Sequence, residues 1–121
     1  MHKYQSLAAW RRAHSFALLV LRTLDQHYAP RARPLFDQIR RAAISVEANI
    51  VEGYALGTPR QFRRHLRIAL GSAAEAESLL RLGGELRYVP ETPTNEMLEL
   101  IGEVIATIFG LLRKPLVVRG R

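Results

Sequence analysis

Apolar residues return every third or fourth position along four successive stretches of this chain, and prolines and glycines interrupt the rhythm between them. That spacing puts them on one side of a helix, and a helix with one greasy side must bury it against another. The first stretch carries Leu7, Trp10, Ala13, Ala17, Val20/Leu21, Leu24 and Tyr28 after a candidate N-cap at Ser6, which predicts a helix over about 7–28. Pro30 and Pro34 bracket a short basic loop. The second stretch, about 35–56, has Leu35, Ile39, Ala42/Ala43, Val46, Asn49/Ile50 and Gly53 inward, with Gly57 suited to a left-handed cap. Thr58-Pro59 restarts the chain as N-cap and first helical residue.

The third stretch, about 59–82, carries Phe62, Leu66, Ala69/Leu70, Ala73, Ala76 and Leu79/Leu80, and Gly83-Gly84 is expected to end it. The fourth, about 93–113, carries Met97/Leu98, Ile101, Val104/Ile105, Ile108 and Leu111/Leu112; a basic tail is expected over 114–121. No stretch alternates with the period of a strand, and no repeat is visible. Four helices of about 30 Å with short connections pack best as an all-α, antiparallel up-down-up-down four-helix bundle. The chain of 121 residues suits one such domain.

The composition, 48% hydrophobic and 24% charged, is that of a chain able to build a core without staples. There is no cysteine, which rules out disulfides and thiolate metal sites and fits a reducing, cytoplasmic setting. No apolar run approaches a membrane span of about 20 residues, so no membrane partner is expected. Arg11-Arg12 ahead of Phe16–Leu21 faintly suggests a twin-arginine signal, but Arg22 and Asp25 close that run too early for a signal core of about 7–15 residues.

The net charge of +7 is unevenly spread. Residues 1–70 hold 12 Lys/Arg against 4 Asp/Glu, while residues 71–121 hold 6 against 7. Arg60, Arg63/Arg64 and Arg67 recur at i, i+3/i+4, i+7 and share one side of the third helix, opposite Phe62 and Leu66. Arginines so spaced can grip successive phosphates through paired N–H donors. With Arg40 and Arg41 they form the candidate nucleic-acid-binding set, although a solvated face is the commoner meaning of a charge run. Ser45, Asn49 and Glu52 share a face of the second helix, as Ser72 and Glu75 do on the third. These five are expected to form a polar network fixing helix register, with Arg40 or Arg41 bonded to Glu52 or Glu75; a ligand pocket is the alternative.

Gly53 and Gly71 lie inside helices, where close backbone approach is the expected compensation. Gly102, Ala106 and Gly110 form a second small-residue strip. The first helix is apolar nearly all round at Ala17–Leu21, and Phe109 widens the fourth stripe. The excess calls for cover by another subunit, hence a homo-oligomer. No His has a Glu three residues before it, so the Glu-x-x-His pairs of di-iron bundles are missing. Neither His-Glu-x-x-His, a phosphate-binding glycine loop, nor Gly-x-Ser-x-Gly is present. No enzyme activity, metal or other cofactor is therefore expected.

The stretches QIRRAAISVEANIVEGY (Gln38–Tyr54) and FRRHLRIALGSAAE (Phe62–Glu75), with Trp10 upstream, resemble the bacterial 23S rRNA intervening-sequence protein family. The resemblance covers about Leu7 to Leu112 and implies a left-handed four-helix bundle assembled as a homopentamer. Members of the family are mostly of unknown function. A related branch serves as the accessory protein of diversity-generating retroelements, which implies RNA, DNA or a reverse transcriptase as partner. The reading is a non-catalytic, oligomeric bundle that binds nucleic acid or a nucleic-acid-processing protein. The alternatives are a purely structural ring and a helix-turn-helix regulator built on Leu56-Gly57-Thr58.

Overall fold

The computed structural model describes residues 3–115. A single 3-10 turn, Tyr4–Ser6, leads into α1 (Ala8–Gln26). Another, Pro30–Ala32, leads into α2 (Arg33–Ala55), and α3 (Pro59–Glu85) and α4 (Glu91–Arg113) follow. No strand occurs among the described residues. Each helix packs against its two neighbours around a ring, α4 closing on α1, and α2 against α3 makes the most extensive contact. This is the all-α four-helix bundle that the stripes require.

The core is the four stripes turned inward. Phe16, Val20 and Leu24 meet Phe36, Ile39, Val46 and Ile50; Leu66, Ala73 and Leu80 meet Met97, Ile101, Val104 and Ile108, all at 2% exposure or less. Each large side chain so buried contributes about 1.5–3 kcal/mol relative to exposure. On α2 it is Phe36, not the expected Leu35, that is fully enclosed; Leu35 is half-buried beside it. A one-residue phase error is easy where two large apolar residues are adjacent.

Several helix ends differ from expectation. Ser6 does not cap α1, because its hydroxyl donates to the Lys3 carbonyl within the 3-10 turn (2.8 Å), and Leu7 holds the cap position. α1 stops at Gln26, which leaves Tyr28 half exposed. At the α2–α3 turn the reading holds. Gly57 has φ +78°, and Thr58 Oγ1 accepts from the Gln61 N–H at 3.2 Å.

α3 does not end at Gly83-Gly84 but runs through both to Glu85. The left-handed cap residue is Arg87, at φ +61°, with its N–H on the Gly84 carbonyl and the Tyr88 N–H on the Gly83 carbonyl, both at 3.0 Å. This double bond pattern is a Schellman motif with arginine where glycine is favoured. Gly84 serves packing instead, since a Cβ there would stand 2.8 Å from Thr94 Cγ2. Thr94 cannot give way easily, because its hydroxyl is bonded to the Pro90 carbonyl at 2.8 Å. α4 starts at Glu91, two residues earlier than Pro93 suggested in sequence, with Pro93 tolerated in its first turn. The expected basic tail lies outside the described residues beyond Pro115.

Candidate nucleic-acid interface

An antiparallel bundle sorts residues by end, not by sequence half. The start of α1, the end of α2, the start of α3 and the end of α4 share one end. Leu7 lines a hollow with Tyr54, Pro59 and Phe62 there, and the Arg63 guanidinium donates to the Lys114 carbonyl at 3.0 Å. Divided at the helix mid-points, this half of the bundle carries nine described cations: Lys3, Arg11, Arg12, Arg60, Arg63, Arg64, Arg67, Arg113 and Lys114. Its acids are three, Glu47, Glu52 and Glu103. The other half holds seven cations and eight acids.

The pairing of these charges differs as much as their number. Every arginine–carboxylate contact among the described residues lies in the balanced half. Arg40 reaches Asp37 (3.1 Å) and Asp25 (3.2 Å), Arg33 reaches Asp37 (3.7 Å), and Arg81 reaches Glu77 (3.5 Å). In the cationic half the two carboxylates in ion-pair range meet histidines instead, Glu47 with His14 at 3.0 Å and Glu52 with His65 at 3.5 Å. Arg60, Arg64 and Arg67 stand exposed on the outer face of α3, without a carboxylate partner among the described residues. Arg63 is half-buried and turned toward the end of α4. Unpaired, exposed guanidinium groups keep their full donor capacity for an incoming anion.

Arg40 and Arg41 do not belong to this cluster. Both lie across the mid-line in the balanced half; Arg40 is held between two aspartates, and Arg41 donates to Gln38 at 2.5 Å. Nor does either reach Glu52 or Glu75, as the sequence suggested. Those carboxylates meet His65 and, at 3.2 Å, the Gln38 amide. Adjacency in sequence misled here because Arg40 and Arg41 lie more than two helical turns back from the α2–α3 turn.

Part of the expected polar network forms between α2 and α3: Ser45, Asn49 and Ser72 come together, Glu52 reaches only His65 among the described residues, and the exposed Glu75 stands apart on Gln38. Ser45 Oγ and Ser72 Oγ meet at 2.9 Å, the Asn49 amide donates to Ser45 Oγ at 3.1 Å, and Asn49 Oδ1 contacts His65 Nδ1 at 3.1 Å. His65, 6% exposed, is a member the sequence did not reveal, because a histidine among arginines reads as a surface residue. A Cβ on Gly53 would lie 2.6 Å from His65 Cβ, so this glycine is where α2 approaches α3. Each buried polar atom of the network has a partner, and neither of the two surface cavities described here includes Ser45, Asn49 or Ser72. Its geometry is that of a register lock. Gly71, Gly102 and Gly110 are different: all three face outward with nothing within 4 Å of an added Cβ.

Two hollows mark the two ends. The one in the balanced half, about 520 Å³, is lined by Arg81, Glu85, Arg87 and Glu91 among others, cations and acids in equal number. The one at the cationic end, about 410 Å³, is lined by Leu7, Gly53, Tyr54, Gly57, Thr58, Pro59 and Phe62, with no charged side chain in its wall. No group of three His, Asp or Glu among the described residues is placed to hold a metal ion. No described helix is long and apolar enough to cross a membrane.

No curated protein is similar enough in sequence to match. Among solved structures, the chain is similar to a protein of unknown function from the S23 ribosomal protein family of Bacteroides thetaiotaomicron. The TM-score is 0.77 at 21% sequence identity, covering 88% of this chain and 100% of that one, a likeness of fold. The family model described as 23S rRNA-intervening sequence protein matches residues 5–110. With a match of that extent over a bundle of this architecture, the chain belongs to the 23S rRNA-intervening sequence protein family.

Proposed function

We propose that this protein is a non-catalytic, self-associating helical bundle that binds nucleic acid, or a protein that handles nucleic acid, through its cationic end. One observation carries the reading: nine cations share one half of the bundle with three acids, and no arginine or lysine among them has a carboxylate within ion-pair range among the described residues. Clustered, unpaired cations raise the local potential and favour polyanions, whose bound counter-ions are released on contact. Arg60, Arg64 and Arg67 are the contacts to the phosphates, with Arg63 beside them. A reverse transcriptase is one partner of the protein type, and the cytoplasm is the setting consistent with a cysteine-free chain.

Self-association is supported by large apolar side chains left on the sides of the bundle, among them Leu18 (38% exposed), Ile44 (48%), Ile68 (41%) and Phe109 (43%). A pentamer is the assembly implied by the family resemblance. Copies packed side by side with ends aligned present a ring of cationic ends on one face, which multiplies the charge. Light scattering coupled to size exclusion reads the copy number, and a monomer at micromolar concentration overturns this part.

Binding is tested by fluorescence anisotropy with labelled single- and double-stranded RNA and DNA over a salt series. The expected result is an affinity that falls steeply as salt rises. Binding that ignores salt, or persists when Arg60, Arg64 and Arg67 are all changed to Glu, overturns the reading and leaves a structural ring in its place.

A further inference from the structure

We infer that the apolar hollow at the cationic end takes an unpaired base of a single-stranded nucleic acid, stacked against Tyr54 and Phe62, while the arginines beside it hold the flanking phosphates. The inference rests on the polyanion reading above and adds to it the kind of strand and the place of a base.

The hollow of about 410 Å³ lies where α1 begins and the α2–α3 turn crosses, and its wall is Leu7, Tyr54, Gly57, Pro59 and Phe62. The two aromatic rings meet edge to face, centroids 6.3 Å apart at 79°, and both are only half-buried. Gly57, at φ +78°, lines the hollow with backbone alone. The Tyr54 hydroxyl is a group that can both donate to and accept from a base edge.

The surroundings select the occupant. Arg60 directly follows Pro59 of the wall and is exposed. Arg11, one helical turn from Leu7, is anchored on the Gln5 and Ser6 carbonyls at 3.1 and 2.6 Å. The hollow is therefore apolar inside, with Arg60 next in sequence to its wall and Arg11 one turn along α1 from Leu7. A neutral apolar ligand leaves the arginines unused, and a simple polyphosphate leaves the aromatic wall unused. Single-stranded nucleic acid offers flat, unstacked bases spaced along a chain of phosphates, which meets both. A duplex keeps its bases stacked inside and meets only the arginines.

The test uses the full chain at fixed, moderate salt and compares four short probes of equal length: oligothymidylate, oligouridylate, an abasic phosphodiester and a duplex. The expected result is binding of the two single strands roughly five- to hundredfold tighter than the abasic probe, as loss of one stacked base predicts. Tyr54→Leu together with Phe62→Leu should bring the single strands down to the abasic level, while Arg60→Glu weakens all four probes. Unmutated protein gives a second readout, quenching of 2-aminopurine placed within a single strand, which does not depend on the variants folding.

Equal affinity for the thymidylate and abasic probes, tighter binding of the duplex, or unquenched 2-aminopurine overturns the base site and leaves polyanion binding standing. Capture of an acidic peptide in preference to every oligonucleotide also overturns it. Failure of all four probes to bind removes the polyanion reading and this inference together.

Discussion

Two edge-to-face aromatic pairs, Phe36–Tyr88 in one half of the bundle and Tyr54–Phe62 in the other, are used in opposite ways. In the balanced half Phe36 meets Tyr88 at 6.5 Å and 76°; Phe36 is fully enclosed, and the Arg31 guanidinium already lies 5.4 Å over the Tyr88 ring. At the cationic end Tyr54 meets Phe62 in nearly the same geometry, but both rings border open space and the nearby arginines have no carboxylate. The balanced end holds every arginine–carboxylate pair among the described residues, whereas at the other end Arg60, Arg64 and Arg67 stand exposed without one. This difference between the ends is what the proposed interface rests on.

The sharpest contrast is in stability. Phe36→Ala should cost about 3–5 kcal/mol, as expected for emptying a fully enclosed aromatic site. Tyr54→Leu at the open end should cost less than about 1.5 kcal/mol. Urea titration followed by circular dichroism measures both, and equal costs would erase the distinction between the ends. Next comes charge. Reversing Arg60, Arg64 and Arg67 to Glu should lower affinity for a polyanion by at least about a hundredfold. Reversing Arg31, Arg33 and Arg81 in the balanced half should change it less than about threefold, since these lie far from the cluster. Comparable losses from the two sets would mean that charge acts through the whole molecule and not through one end.

Smaller effects follow the glycines. Gly53→Ala should destabilise by about 1–3 kcal/mol, because the new Cβ meets His65 Cβ at 2.6 Å, inside the register lock. Arg87→Gly should stabilise by about 1 kcal/mol by relieving a left-handed arginine in the balanced-end cap. Gly71→Ala on the outer face of α3 should stabilise by roughly 0.5–1 kcal/mol in the monomer, with open space around it. A loss in place of that gain, seen only at concentrations where copies associate, would put this face inside an interface.

The fold was legible because its signal is periodic and long. Stripes such as Leu66–Ala73–Leu80 and Met97–Ile101–Val104–Ile108 fix which side of each rod is inward whatever the exact ends. Helix ends were less legible where one residue type has two uses. Gly57 is a cap, whereas Gly84 is a packing glycine, and only the position of Thr94 on another helix distinguishes it. The site was legible in part. Arg60, Arg63, Arg64 and Arg67 share a helix and were found together, but Arg113, Lys114, Arg11 and Arg12 join them only through antiparallel packing. For the same reason Arg40 and Arg41, close to the cluster in sequence, fall outside it. The hollow at Tyr54 and Phe62 had no sequence signal of its own, since half-buried aromatics and core aromatics share the same spacing.

The tight α2–α3 contact has a kinetic consequence. Two neighbouring helices joined by the three residues Leu56–Thr58, with a glycine at their closest approach and a chain of hydrogen bonds along the join, form the most local unit in the molecule. Such a hairpin closes early during folding and opens last, so amide protons of Ile50 and Ala69 should exchange more slowly than those of α1 or α4. The cationic half of α3 then rides on the part of the molecule least given to local unfolding, while α1 and α4 can loosen around it.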